Sequence, residues 1–202
     1  MKKILIAFFA FACTSVNAQS YKETFDSNNM GWTETSTKQG EAVIKDGVMH
    51  MVGTKAGGNT YFGYKAPSFI ETHCYSGIDV AKNFEIKCDA IAKKISDDGC
   101  IGIVLDYMDD GNFIAFVIGK DEAYLIRYHN GDPIGYIRNR LKTEKKKAAL
   151  SLSIKSTYQK LQFYVNNMLA VEARFLPLTS NGFGFYVLGE QTVDFDNVEF
   201  IQ

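Results

Sequence analysis

Alternation of apolar and polar residues dominates the sequence after its first twenty positions. In the stretch 150–155 Leu and Ile alternate with Ser and Lys, and the stretches 161–165 and 169–175 alternate in the same way. A period of two places successive side chains on opposite faces of a β-strand. These stretches are therefore predicted to be half-buried strands, with Leu169 and Val171 among the inward-facing residues of the last one.

Dipeptides that favour tight turns separate the alternating runs. They are Asp46-Gly47, Asp98-Gly99, Asp110-Gly111, Asn130-Gly131, Asn166-Asn167 and Asn181-Gly182. Asn, Asp and Gly tolerate the positive φ that two-residue hairpin turns need. The resulting strands are predicted to centre near Val43, Met49, Phe62, Ile86, Val104, Ala115, Leu125, Tyr136, Leu152, Phe163, Val171, Phe185 and Phe195. One flat sheet of so many antiparallel strands would leave a face exposed, so we expect an all-β fold of two stacked sheets or a barrel.

Residues 1–18 have the features of a secretory signal peptide. Lys2-Lys3 is followed by an apolar stretch too short to span a bilayer, and small residues precede a cleavage point after Ala18. Cleavage there leaves one domain over residues 19–202, exported to the periplasm, the cell surface or the medium. The alternative is a lipoprotein lipidated at Cys13. No second apolar stretch of membrane length follows, so no transmembrane segment is expected.

Charge excludes two classes of partner. The chain of 202 residues has 22 Lys and Arg against 23 Asp and Glu. Loss of the two lysines of the leader leaves 20 basic and 23 acidic groups, a net charge of −3. A chain this close to neutral has no bulk electrostatic attraction to phosphate backbones or anionic membranes, so binding to nucleic acid or to an anionic membrane surface is not expected.

Cysteine and histidine provide no catalytic or metal motif. Cys74, Cys88 and Cys100 remain after cleavage, without the CxxC spacing of zinc or redox sites. Cys88 and Cys100 are predicted on adjacent strands, where they can form a disulfide or remain buried thiols. The three histidines His50, His73 and His129 accompany no GxSxG motif, so the sequence does not support nucleophilic hydrolysis.

Several motifs, in this order, resemble the concanavalin A-like lectin and glucanase superfamily. They are Thr24-Phe25-Asp26 with Gly31-Trp32, and the segments 44–49, 102–107, 110–113, 161–166, 182–187 and 193–198. That superfamily includes legume lectins, laminin G-like modules, family 16 glucanases and 3-keto-disaccharide hydrolase-like domains. The resemblance implies a two-sheet antiparallel β-sandwich of jelly-roll type that binds glycans, with Trp32 in its core.

The resemblance also implies a structural calcium site. Members of the superfamily often hold calcium with oxygens from the N-terminal strand and an Asp near the C-terminus, which here correspond to Asp26 and Asp196. Calcium prefers such oxygen ligands. Two solvated turn carboxylates are the alternative interpretation.

The segment 194–199 tests for an enzyme, because family 16 glucanases carry Glu-x-Asp-x-x-Glu on a bulged strand. The apolar parity predicts a bulge near Asp196-Asn197, which would place Asp194, Asp196 and Glu199 on one face. The match to the family fails because Asp194 is shorter than the required Glu and the motif lies at the extreme C-terminus. We therefore assign no catalytic residue.

Glycan binding requires aromatic rings beside planar polar groups. Arg127 and His129 share one parity of a predicted strand, and Tyr136 and Arg138 repeat the pattern on the next strand. Tyr107 ends a preceding glycine-containing strand. These five residues form the predicted glycan-binding site.

The sequence thus predicts an exported, non-catalytic carbohydrate-binding sandwich whose partner is an oligo- or polysaccharide. The first alternative is a glycoside hydrolase or 3-keto-disaccharide hydrolase that uses Asp106, Arg127 and His129. The second is an envelope or adhesion protein that binds another protein.

Overall fold

The computed structural model describes residues 20–54, 57–61, 64–67, 69–94, 96, 99–119, 121–141, 149–157, 160–174 and 177–202. For 57–61, 64–67, Lys94 and Tyr136 it describes the backbone alone. The predicted signal peptide and Cys13 lie outside the described residues.

Regular structure in these ranges consists of seventeen β-strands. They are β1 Ser20–Glu23, β2 Thr35–Thr37, β3 Gly40–Lys45, β4 Val48–Gly53, β5 Gly57–Tyr61, β6 Tyr64–Pro67, β7 Phe69–Tyr75, β8 Phe84–Lys94, β9 Cys100–Asp109, β10 Asn112–Ile118, β11 Glu122–His129, β12 Asp132–Arg140, β13 Ala149–Thr157, β14 Lys160–Val165, β15 Met168–Arg174, β16 Gly182–Leu188 and β17 Thr192–Ile201. Among the described residues no helix is long and apolar enough to cross a membrane.

The strands form two large antiparallel sheets and a separate hairpin. One sheet has nine strands in the order β15-β14-β13-β8-β17-β4-β3-β2, with β1 also paired to β17. The other has six strands in the order β12-β11-β10-β9-β16-β7, and β5 pairs with β6. Inward-facing residues of both sheets form one apolar core, so the predicted β-sandwich is confirmed.

Aromatic side chains join the two sheets across this core. Phe185 of β16 stacks on Phe195 of β17 with ring centroids 4.1 Å apart. Trp32 lies parallel to Phe185 at 5.2 Å and is only 3% exposed, which confirms its predicted place in the core. The Trp32 indole N–H donates to the buried carboxylate of Glu23 at 3.2 Å, so its one polar atom is satisfied.

Most predicted hairpin turns are present. Asp46-Gly47, Asn130-Gly131 and Asn166-Asn167 each combine two residues of positive φ between paired strands. Asp110-Gly111 joins β9 to β10 without positive φ, and Asp98 is outside the described residues. The prediction of a turn at Asn181-Gly182 is wrong, because Gly182 is the first residue of β16 and pairs with strands on both sides.

The predicted inward position of Leu169 is also wrong. Leu169 is 49% exposed, whereas Ala170 and Val171 are buried. Phe163 pairs with Val171 but Tyr164 pairs with Leu169, so one extra residue is inserted in β15. A β-bulge of this kind shifts the alternation by one position, and Ala170 takes the inward position instead.

The three described cysteines are free thiols. Cys88 belongs to β8 in the nine-stranded sheet and Cys100 to β9 in the six-stranded sheet, so the prediction that they lie on adjacent strands is wrong. Burial raises the pKa of the Cys100 thiol to about 11, which keeps it protonated and unreactive.

Candidate functional site

The six-stranded sheet carries a second apolar cluster on the face turned away from the main core, here called the outer face. Its buried members are Val104, Tyr107, Phe113, Ala115, Val117, Tyr128 and Tyr186. Small residues occupy the middle strands: one row of neighbouring residues runs from Ile126 through Ala115, Val104 and Gly184 to His73. The small side chains at the centre of the outer face therefore leave room for aromatic rings from the neighbouring positions to pack over them.

Aromatic rings meet above these small residues. Phe69, on the edge strand β7, lies 5.0 Å from Tyr186 and 5.6 Å from Tyr128 between ring centroids. Tyr128 stacks on Phe113 at 4.5 Å, and the hydroxyls of Tyr128 and Tyr186 are 3.0 Å apart. This layer is aromatic, and its two tyrosine hydroxyls are paired with each other.

A bulge in β9 directs Tyr107 to the outer face. Asp106 has a φ of 54°, and Gly182 pairs with Tyr107 while Phe183 pairs with Leu105. Leu105 points into the main core, so Tyr107, two residues later, would also do so in a regular strand. The buried Asp106 carboxylate fixes the bulge by accepting hydrogen bonds from the backbone N–H groups of Thr179 at 2.7 Å and Ser180 at 2.8 Å.

At one end of the outer face, six side chains form what we call the Tyr75 patch: Thr33, Glu71, His73, Tyr75, Tyr107 and Asp110. The imidazole of His73 stacks on the ring of Tyr107 with centroids 3.7 Å apart. The Tyr107 hydroxyl donates to Asp110 Oδ1 at 2.5 Å, and burial together with this bond raises the pKa of the phenol. The Tyr75 ring lies edge-on to His73 at 6.3 Å and is 59% exposed.

Both nitrogens of His73 are engaged within this patch. Nδ1 is 3.2 Å from Glu71 Oε2, and Nε2 is 3.1 Å from Thr33 Oγ1. The side chains of His73 and Glu71 are 16% and 15% exposed, so solvent reaches both without surrounding them. The patch thus combines an exposed aromatic ring with several accessible hydrogen-bonding groups.

The five residues of the predicted site do not come together. Tyr107 belongs to the Tyr75 patch but is only 3% exposed, so its ring face is covered. Arg138 pairs with the outer-face residue Tyr124 and binds the Glu122 carboxylate through Nε at 2.7 Å and Nη2 at 2.6 Å.

Arg127 and His129 are exposed and share a side of β11, as their parity predicted. That side is opposite to the outer face, since Arg127 pairs with Ile114, a residue of the main core. Tyr136 pairs with Ile126 of the outer face, but its side chain is outside the described part of the molecule. The predicted set is therefore divided between two sides of the sheet.

Sequence reasoning missed the contribution of β7. Glu71, His73 and Tyr75 alternate with the buried Ile70, Thr72 and Cys74. The same period of two that revealed the other strands is present here. A strand prediction over 69–75 would have placed the three outward residues on one face.

The predicted bulge in the last strand is present between Asp196 and Glu199. It leaves Asp194, Asp196 and Glu199 outside the core, on the outward side of the nine-stranded sheet. Burial disfavours the charge of Asp194, but hydrogen bonds from Lys93 at 2.5 Å and His50 at 2.6 Å keep its pKa below the usual range. Its carboxylate is thus committed to a protein-internal ion pair.

The proposed calcium ligands were tested for fit. β1 and β17 pair as predicted for the first and last strands. Asp26 accepts from the Thr24 hydroxyl at 2.8 Å, and Asp196 accepts from the backbone N–H of Asn197 at 2.6 Å. Nowhere in the described residues do three or more His, Cys, Asp or Glu side chains form a metal-binding group. Calcium prefers six to eight oxygens, so these two carboxylates alone do not make its site, and calcium binding stays a prediction.

Comparisons with known proteins identify the architecture. No protein-family model matches the sequence, and no curated protein does. A β-1,3-1,4-glucanase (lichenase) from a mouse hindgut metagenome is similar in structure, with a TM-score of 0.61, 11% identity and coverage of 90% of this chain and 98% of that chain.

Two further solved structures are similar over comparable lengths. The catalytic domain of an endo-1,3-β-glucanase (laminarinase) from Thermotoga petrophila has a TM-score of 0.59 at 11% identity, covering 92% of this chain and 98% of that chain. A protein with a galectin-like fold from Bacillus subtilis has a TM-score of 0.59 at 9% identity, covering 89% and 94%. At such identities the likeness concerns the fold alone, and it confirms the predicted two-sheet β-sandwich of jelly-roll type.

Proposed function

We propose that this protein is exported and binds carbohydrate through the Tyr75 patch without cleaving glycosidic bonds. The observation that carries the proposal is the exposed ring of Tyr75 beside Glu71, His73 and Asp110. An exposed aromatic ring covers the apolar face of a sugar, and carboxylate and hydroxyl groups next to it bond the sugar hydroxyls.

Two further observations support this proposal. The similar structures include two glucanases, whose names identify polysaccharides as their substrates, so the architecture is suited to presenting a sheet face to a glycan. The predicted signal peptide supports export to a compartment in which glycans are accessible. Fold alone does not determine function, so the specific residues of the patch carry the argument.

Glycosidase chemistry has less support. A retaining glycosidase needs one carboxylate free to act as nucleophile and an acid about 5–5.5 Å from it. Asp194, the first acid of the segment 194–199, is bound by Lys93 and His50 instead. A carboxylate held by an ammonium group and an imidazole is less nucleophilic and is not free to approach a sugar.

A glycan array with the purified protein tests the proposal, in calcium and in chelator, together with a reducing-sugar assay on the glycans that bind. We expect binding to at least one glycan class without release of reducing sugar. Loss of binding in chelator would support the predicted calcium site. No binding to any glycan would overturn the proposal, and release of reducing sugar would replace it with the hydrolase alternative.

A pair of tyrosine variants locates the site. Tyr75→Ala removes the exposed ring and should weaken glycan binding at least ten-fold, about 1.4 kcal/mol, with an unchanged thermal midpoint. Tyr164→Ala is the matched control, because Tyr164 is a partly exposed tyrosine on the outward side of the nine-stranded sheet. Equal affinities of both variants and wild type would exclude the Tyr75 patch. Loss of binding in Arg127→Ala instead would place the site on the opposite side of β11.

A further inference from the structure

Thr33, His73 and Glu71 form a hydroxyl, imidazole and carboxylate series. The Thr33 Oγ1 to His73 Nε2 distance is 3.1 Å, and the His73 Nδ1 to Glu71 Oε2 distance is 3.2 Å. Both distances are within hydrogen-bond reach, which is the geometric requirement for a nucleophile, its general base and the group that orients the base.

One tautomer of a neutral His73 satisfies both hydrogen bonds. An ionised carboxylate only accepts, so the proton of the neutral imidazole lies on Nδ1 and is donated to Glu71. Nε2 then has a free lone pair, and the Thr33 hydroxyl donates to it. This is the tautomer in which an imidazole removes a proton from a hydroxyl.

Exposure follows the same order along the series. Thr33 is exposed, while His73 and Glu71 are largely shielded by their surroundings. The Glu71 carboxylate oxygen Oε2 lies 3.2 Å from Nδ1 of His73. The carboxylate is therefore available to stabilise an imidazolium.

The backbone holds the hydroxyl and the ring in place. The N–H of Thr33 donates to the His73 carbonyl oxygen at 2.9 Å, and the Thr72 hydroxyl donates to the Thr33 carbonyl oxygen at 2.6 Å. On its face, the imidazole is stacked on Tyr107. Such restraint preserves a reactive geometry at little entropic cost during a reaction.

We propose that this series hydrolyses acyl esters, with Thr33 as nucleophile and His73 as general base. Thr33 Oγ1 bonds to the acyl carbon as its proton moves to Nε2, and the carbonyl oxygen becomes an oxyanion that re-forms the carbonyl in the next step. The bond to the alcohol oxygen breaks and the alcohol takes the proton from Nε2. Water then bonds to the acyl carbon, gives a proton to Nε2, and Thr33 leaves and regains that proton.

Acyl groups on sugar hydroxyls are the substrate class, and this assignment of substrate rests on the proposed glycan binding. The hydrolytic step itself does not, because a simple ester can reach an exposed hydroxyl unaided. The two proposals therefore fail separately. A blank glycan array with intact ester hydrolysis would overturn glycan binding and the substrate class, but not the hydrolytic step.

Hydrolysis of p-nitrophenyl acetate by the full chain is the direct test. Thr33→Val keeps the shape of the side chain and removes the hydroxyl, so hydrolysis should fall to the buffer rate. His73→Gln should lower the rate about 100-fold or more, the usual effect of losing a general base. Thr33→Ser should keep or raise the rate, because a primary hydroxyl is less hindered.

Two measurements separate catalysis from structural support. A fluorophosphonate probe should modify the peptide containing Thr33 in the wild type and leave Thr33→Val and His73→Gln unmodified. Thr24→Val is the matched control, since Thr24 is an exposed threonine bound to a carboxylate without an imidazole. Hydrolysis by Thr33→Val at the wild-type rate, or no hydrolysis by the wild type above buffer, would overturn the proposal.

Discussion

Replacement of Asp106 should lower the free energy of unfolding through two contributions, its hydrogen bonds and its positive φ, which different substitutions can separate. Asp106 is 7% exposed, has a φ of 54° and accepts two backbone hydrogen bonds from Thr179 and Ser180. Asp106→Ala removes both bonds and places alanine, which has no polar side chain to stabilise a positive φ, in the left-handed region. Asp106→Gly removes the bonds but suits the φ, and Asp106→Asn suits the φ and keeps an uncharged acceptor.

The magnitudes follow from these losses. Hydrogen bonds to a charged group contribute about 1.5–3 kcal/mol each, and the low end applies because Thr179 and Ser180 are partly accessible to water. Left-handed φ adds about 1 kcal/mol for Ala. We therefore expect losses of about 4 kcal/mol for Ala, ~3 for Gly and ~2 for Asn. For a chain of this size the Ala variant should melt about 8–16 °C lower.

Denaturant unfolding followed by tryptophan fluorescence measures these differences directly. Trp32 is the only tryptophan of the chain and is buried, so unfolding changes its emission. The order of stability should be wild type, Asn, Gly, Ala, with equal m-values. A loss below 1 kcal/mol for Asp106→Ala would refute the reasoning. Equal stability of Ala and Gly would refute the contribution of the backbone conformation.

Two further predictions concern stability. Ionised Asp194 is stabilised by Lys93 and His50, so its lowered pKa contributes stability above the ordinary carboxyl pKa of about 4, which is lost as pH falls through the lower folded-state value. Lys93→Met should therefore flatten the fall in thermal midpoint below pH 4, and an unchanged pH profile would contradict this. Gly182→Ala should cost about 1–3 kcal/mol, because an ideal Cβ would lie 2.3 Å from a backbone carbonyl oxygen of β9. Gly135→Ala, with nothing within 4 Å of its Cβ, is the control in the same unfolding assay.

The sequence predicted the sandwich well because its signal is repeated many times. Strands such as β4 and β14 alternate, and hairpins at Asp46-Gly47, Asn130-Gly131 and Asn166-Asn167 mark where the chain reverses. Predictions were wrong at two kinds of position: where a β-bulge inserted one residue into a strand, as in β15, and where a turn-type dipeptide lay at the start of a strand instead. Gly182 illustrates the latter, because its missing side chain permits close approach of β9 rather than a turn.

The candidate site was harder to predict because it depends on parity changes and on distant pairings. Tyr107 reaches the outer face only through the bulge at Asp106. In the sequence, the aspartate itself is the one sign of a positive φ at this point, because no glycine or asparagine adjoins it. Thr33 meets His73 through a contact forty residues apart in sequence. The alternation of residues within strands does not predict that the loop containing Thr33 lies beside the edge strand β7.

The bulges in β9 and β17 have different effects on which side chains face the core. In β17 the extra residue keeps Phe195, Val198 and Phe200 in the core while three acids face outward, so the strand preserves its packing. In β9 the extra residue removes an aromatic side chain from core parity and stacks it against His73 on the outer face. Inward rings from β16 and β17 stack on each other between the sheets. A bulge can therefore add an aromatic and imidazole pair to a sheet face, and this pair is the centre of the Tyr75 patch.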